Sequence, residues 1–315
     1  MKKLLLPFAI ALLAQQTLSA ETFRVNNTPG SGAQYTTFDA AQSAASDGDV
    51  IIVDGSKTSY GKIVITKKIT LKGPGYFLEG NESMNEAPSS AKFSEIKVQA
   101  EGVTLTGLQV TEGDIYLMND NIVVTRCFVR WIYSSVPYSY SSTSITNCVI
   151  HQNYIQSGVS GDSYSKPATY FQITNNIFMG TNATWYNLDY ATISYNTVLP
   201  VYGVRFPNLT NCVIEHNIIP VVDVSFDSGN SVSDNRSIAY QNSPYADSVS
   251  LYKGTDREVK AIDETLTTTQ GAFSGNDPYV LSGLPSGPMI QDVIMPESVA
   301  KGENLNVTVK IGSSK

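Results

Sequence analysis

Charge is scarce in this chain, cysteine is scarcer, and long apolar runs are missing beyond the N-terminus. Only 16% of the 315 residues are charged and the net charge is −7. No cluster of Lys or Arg stands out, and neutralising phosphates needs a basic face, so general nucleic-acid binding is excluded. Three cysteines are an odd set, which excludes a full disulfide framework. No stretch after the first twenty residues approaches the roughly 18 uninterrupted apolar residues of a membrane helix, so no transmembrane segment is expected.

The one long apolar run is at the start. Lys2 and Lys3, the run from Leu4 to Ala14, and Leu18-Ser19-Ala20 read as a secretory signal peptide cleaved after Ala20. Residues 1–20 would then be lost, the net charge would become 19−28 = −9, and the protein would be exported to the periplasm, the cell surface or the outside. Glu21 in place of Cys at the cut argues against a lipid anchor.

What the chain does have is a returning phrase: apolar, small polar, variable, Asn or Cys, variable, apolar. It reads Val124-Thr125-Arg126-Cys127-Phe128-Val129, Ile145-Thr146-Asn147-Cys148-Val149-Ile150, Ile173-Thr174-Asn175-Asn176-Ile177-Phe178, Ile193-Ser194-Tyr195-Asn196-Thr197-Val198 and Ile214-Glu215-His216-Asn217-Ile218-Ile219, with a looser copy at Leu105–Val110. From Leu108 the fourth positions advance by 19, 21, 28, 20 and 21 residues. A period near twenty with strand-like alternation predicts a solenoid of short stacked parallel strands. The buried bends need side-chain partners for their backbone groups, so Asn176, Asn196 and Asn217 are expected to form an internal ladder, with Asn235 as a continuation. Leu108, Cys127 and Cys148 would carry the column upward, the two cysteines as stacked free thiols. The similar Thr210-Asn211-Cys212 falls out of this register and is taken as coincidence.

In chain order, Glu21–Gly32 is expected to be an extended lead-in, and Thr36–Ala45 a short helix with Thr36 as its N-cap that covers the first rung. Val50–Val53 reads as a fully buried strand, residues 81–90 as a loop, and Gln156–Pro167 as an insertion responsible for the step of 28. Past Ser237 the repeat fades, with no period across Ser243–Thr269. Two strands, Ile290–Pro296 and Leu305–Ile311, suggest a terminal hairpin packed on the last rungs as a second cap. Residues 21–240 are therefore expected to form the solenoid and 241–315 an irregular segment ending in the hairpin.

Gly48-Asp49-Val50-Ile51-Ile52-Val53, followed by Ile63-Val64-Ile65-Thr66-Lys67-Lys68-Ile69-Thr70-Leu71-Lys72-Gly73-Pro74-Gly75 and the Asn phrases, resembles the opening rungs of right-handed parallel β-helix proteins of the pectate-lyase-like superfamily. The likeness spans roughly Gln34 to Ser237. It implies an all-β fold and no particular activity, because that superfamily includes lyases, hydrolases, epimerases, adhesins and proteins without known catalysis. Of the groups its enzymes use, neither paired aspartates nor calcium-binding aspartates are evident, and Arg205-Phe206-Pro207 alone fits a lyase motif. No cofactor is expected, and calcium is not legible in the sequence.

Three functions fit these residues. A non-catalytic polysaccharide-binding protein would use outward aromatics: Tyr116, Tyr138, Tyr186 and Phe206 share a position in the repeat, with Lys166 filling the remaining rung and Trp185 beside Tyr186. A polysaccharide lyase would use Arg130 and His151, expected to stack on adjacent rungs, with Lys166 and Tyr170, under a loop carrying Asp162. A purely structural surface protein or adhesin needs neither set. Oligomeric state is not encoded in any pattern we recognise.

Overall fold

The protein was analysed as a computed structural model, which describes residues 20–78, 89–134, 144–161, 166–179, 184–199, 206–221, 229–239, 255–266, 269–284, 287–294, 304–305 and 307–314. Residues 1–19 of the expected signal peptide, most of the expected 81–90 loop, Tyr138, Asp162 and Arg205 lie outside these.

The chain is all-β, built on long parallel sheets, with two α-helices among the described residues. One sheet has ten strands, paired in chain order from Thr22–Val25 through Val50–Val53 and Ile173's strand Gln172–Thr174 to Ser231–Ser233. A second has eleven, from Lys62–Ile65 to Arg236–Ala239, and a third, small sheet joins Ala168–Thr169, Leu188–Asp189 and Leu209–Thr210. The chain visits the sheets in turn, so each strand lies beside one about twenty residues away. Ile150, Ile173, Ile193 and Ile214 are in register on the first sheet and 0% exposed. Their outward neighbours are half-buried or exposed except Ser194, which is buried, close to the alternation a one-sided strand requires.

Each corner follows one rule: a residue with positive φ precedes the inward residue. At the corner leading into the second sheet these are Arg126, Gln152, Asn175, Tyr195, His216 and Asp234, with φ between 51° and 56°. The Asn ladder runs directly behind them. Cys127 N donates to Asn153 Oδ1, Asn153 N to Asn176 Oδ1, Asn176 N to Asn196 Oδ1, Asn196 N to Asn217 Oδ1 and Asn217 N to Asn235 Oδ1, all at 2.8–2.9 Å. Each side-chain amide also donates to a carbonyl one rung back, as Asn196 Nδ2 does to Ile173 O at 2.7 Å.

Asn176, Asn196, Asn217 and Asn235 thus stand where expected, and Cys148 does not. The ladder member of its rung is Asn153, so the steps from Cys127 are 26, 23, 20, 21 and 18 residues. Cys148 belongs to another corner, where Asn121, Asn147, Tyr170, Tyr190 and Asn211 take the positive φ. Cys212 follows Asn211 there, so the likeness of Thr146-Asn147-Cys148 to Thr210-Asn211-Cys212 is a true repeat of the second corner. Cys127, Cys148 and Cys212 are all buried free thiols, but Cys127 and Cys148 are not stacked.

Other expectations shift as well. The lead-in contains a strand, Thr22–Val25, paired with Val50–Val53. Val50–Val53 is buried only at Ile51 and Val53. Helix α1 (Phe38–Ala44) is capped by Thr37, whose side chain accepts from Ala40 N, and not by Thr36; it buries Phe38 and Ala41. Gln156–Ser160, read as the start of an insertion, belongs to the strand Tyr154–Ser160. The terminal strands pair antiparallel as Gly287–Ile294 and Thr308–Ser314.

Candidate functional site

The outer face of the second sheet carries a group of aromatic and charged side chains. Along the strand Phe128–Tyr133, Val129 and Ile132 both face inward, and the register with Tyr154–Ser160 shifts between Val129 and Trp131. A bulge of this kind re-aims side chains, and here it leaves Arg130 and Trp131 as consecutive outward residues. Tyr133 lies opposite Tyr116 on one side and Ser160 on the other, and Ser160 lies opposite Tyr186. Tyr116 and Tyr186 therefore share one outward row, as the sequence suggested, with Tyr133 and Ser160 between them in place of Tyr138 and Lys166.

The rings in this group are parallel and offset. Tyr116 and Tyr133 have centroids 5.5 Å apart at 15°, and Trp131 and Tyr133 5.4 Å at 17°. Offset stacking at this distance leaves part of each ring face free. Beside them Arg130 Nε and Nη2 donate to the two oxygens of Asp114, both at 2.8 Å, and Tyr116 Oη donates to Asp114 Oδ2 at 3.3 Å. Burial and then the Asp114 charge push the Tyr116 and Tyr133 phenols up to about 12. Both stay protonated at neutral pH, as hydroxyl donors rather than bases. Lys97, paired in register with Tyr116, extends the row and makes an ion pair with Glu95 at 3.5 Å.

Two aromatics expected here are core. Trp185 is 0% exposed, and Phe206, at 7%, stacks on it at 4.6 Å. They alternate inward while Tyr186 faces out. A separate exposed pair, Tyr170 and Tyr190, stacks at 5.4 Å on the second corner. Tyr190 escaped notice in the sequence because only the corner register aligns it with Tyr170.

The lyase constellation does not assemble. Arg130 is on the second sheet with its charge spent on Asp114, whose hydrogen bonds hold the guanidinium above its ordinary value. His151 is on the first sheet, since Cys148, from which its rung was counted, is at the other corner. Lys166 precedes the third-sheet strand Ala168–Thr169 and Tyr170 follows it, away from both Arg130 and His151.

His151 Nδ1 is 2.8 Å from Thr174 Oγ1 and Nε2 is 3.0 Å from Asp277 Oδ2. Burial lowers its pKa; the Asp277 carboxylate can only accept, from Nε2, while Nδ1 faces both the Thr174 hydroxyl and the Thr174 carbonyl, the latter at 3.1 Å. Hydroxyl, imidazole and carboxylate in this order suggest a nucleophilic relay. The carboxylate side chain, however, is 73% exposed, and water screens such a charge. The contact instead ties down a strap, residues 269–284, along the first corner. Arg126 Nη1 donates to Leu284 O at 2.9 Å, Gln152 Nε2 to Pro278 O at 2.7 Å, and Asn175 Nδ2 to Ser274 O at 2.8 Å. The corner residues with positive φ read the strap's backbone.

Among the described residues, no three His, Cys, Asp or Glu side chains come together as a metal site, and no helix is long and apolar enough to cross a membrane. Comparison with known protein families, with curated proteins and with solved structures gives no match.

Proposed function

We propose that this is an exported right-handed parallel β-helix protein of the pectate-lyase-like kind, which binds a polysaccharide along the outer face of its second sheet without cleaving it. The observation that carries the reading is the stepped group Tyr116, Tyr133 and Trp131 beside the Asp114–Arg130 pair. Partly free ring faces suit the apolar C–H faces of sugar rings. The protonated phenols, the carboxylate and the guanidinium supply donors and acceptors for hydroxyls. Parallel strands repeat about every 4.8 Å, close to the advance of an extended pyranose chain, so the sugars can follow the rungs.

Nothing favours elimination over binding. A lyase needs a cation free for the uronate and a base near neutrality; here Arg130 is paired and both phenols are held high. Retention on a glycan array tests the reading: wild type is expected to bind at least one polysaccharide, and Trp131→Ala and Tyr133→Ala to lose most of that binding with unchanged melting. Absence of retention across the array would favour a purely structural surface protein.

A further inference from the structure

The inward column on the first sheet, which begins at Phe23 and passes through Ile51 rung by rung to Ile193 and Ile214, is 8% exposed at Phe23 and 0% at the other three. Val232 continues it, paired in register with Ile214, and is 47% exposed. Its neighbours Ser231 and Ser233 are exposed too, as is Ser237, which continues the inward position of Ile219 on the second sheet. The first sheet ends at this strand, which among the described residues has one neighbour. The stack therefore stops with a core position and an unpaired strand edge open to solvent, an arrangement that invites further pairing.

The opposite end is closed. Phe23 and Val25 of the first strand are 8% and 0% exposed, and α1 lies against that strand. The free side of that strand is taken by a bridge from Tyr35 to Val25, so a head-to-tail contact would have to displace it and α1, which leaves open end against open end. That contact is isologous and closes as a two-fold dimer. The last rung also carries opposite charges two residues apart, Asp234 and Arg236, both exposed and neither in an ion pair among the described residues. A two-fold pairing about the corner between them brings each within reach of its opposite on the other copy.

We propose that the chain dimerises end to end with a second copy of itself through the rung Ser231–Ala239, covering Val232 and pairing the free strand edges. The proposal rests on the parallel stack and is independent of glycan binding. Sedimentation equilibrium of the full chain over a concentration series is expected to give a monomer–dimer equilibrium, with small-angle scattering showing a nearly doubled longest dimension for the dimer. Val232→Asp, an exposed change that leaves melting intact, shifts the chain to monomer. Arg236→Asp weakens the dimer, and the swap Asp234→Arg with Arg236→Asp restores it. A monomer at every concentration overturns the proposal, as does a dimer indifferent to these changes. Loss of the dimer in Val307→Asp/Val309→Asp but not in Val232→Asp would place the contact on the terminal hairpin, and would overturn it equally.

Discussion

Asn196 fills its four hydrogen-bonding sites. Its Oδ1 accepts from Asn176 N and Nδ2, and its Nδ2 donates to Ile173 O and Asn217 Oδ1. Leaving a buried backbone donor or acceptor without a partner costs roughly 1–3 kcal/mol. Asn196→Ala orphans at least Asn176 N and Ile173 O, so a loss of about 3 kcal/mol or more is expected in urea unfolding. The cysteines give a second check: burial raises all three thiols, Cys127 and Cys148 to about 12. An aromatic disulfide reagent should label none in the native protein and all three once unfolded. At this scale Asn176, Asn196, Asn217 and Asn235 were readable because a polar residue recurring at a buried place has few other uses. Asn153 was not. Two corners of one coil share the chemistry of a positive-φ residue before an inward one, and Thr-Asn-Cys at Cys148 imitates the ladder corner only five residues before the real one.

The strap is held by more than its polar contacts. Helix α2 (Asp256–Leu266) and the strap cover the second sheet's outer face near the first corner, where Val259, Ala272 and Tyr279 pack with Tyr154, Ile177, Leu199 and Ile218. Gly283 sits at φ 54°, and a Cβ there would come within 2.2 Å of the Tyr76 ring, so Gly283→Ala should free the strap, seen as faster hydrogen exchange across 269–284. Asp256 is buried at the start of α2, bonded through Oδ2 to Ser282 N at 2.5 Å and Tyr279 Oη at 3.2 Å, with Tyr76 close by. Burial nevertheless raises it from 3.8 to about 6. The folded pKa is above the unfolded one, so its contribution to stability is full below about 3.8 and is lost as pH rises through about 6. The span, 6−3.8 = 2.2, corresponds to about 3 kcal/mol. Asp256→Asn should therefore be more stable than wild type near pH 7 and lose that advantage near pH 4. The opposing effect of His151, whose lowered pKa makes acid destabilising, is common to both proteins and cancels in the comparison. Helix α2 fell in the segment without a visible period. Val259, Ile262 and Leu266 do mark a helical face, but three large apolar residues and one alanine among seven polar ones give a weak signal. The strap left none, because its partners are backbone carbonyls that any sequence carries.

For the molecule as a whole, twenty-residue spacing was enough to predict stacked parallel strands, since register follows from which side chains must be inward. The face that carries the proposed function was only half visible. Tyr116 and Tyr186 emerged from the spacing, but Tyr133 and Trp131 did not, because the shift at Arg130 breaks the alternation that would have marked them as outward. Arg130 was noticed for a lyase and instead serves Asp114. The two tryptophans allow the central claim to be tested directly, as Trp131 is half-buried on the proposed glycan face and Trp185 is fully enclosed. The measurement is quenching of tryptophan emission by acrylamide, with and without each polysaccharide of a neutral and acidic panel. We predict that a bound polysaccharide protects the quenchable fraction in wild type and has no effect in Trp131→Phe/Tyr133→Ala. A polysaccharide that binds tightly yet leaves Trp131 as quenchable as before would contradict the assignment of this face.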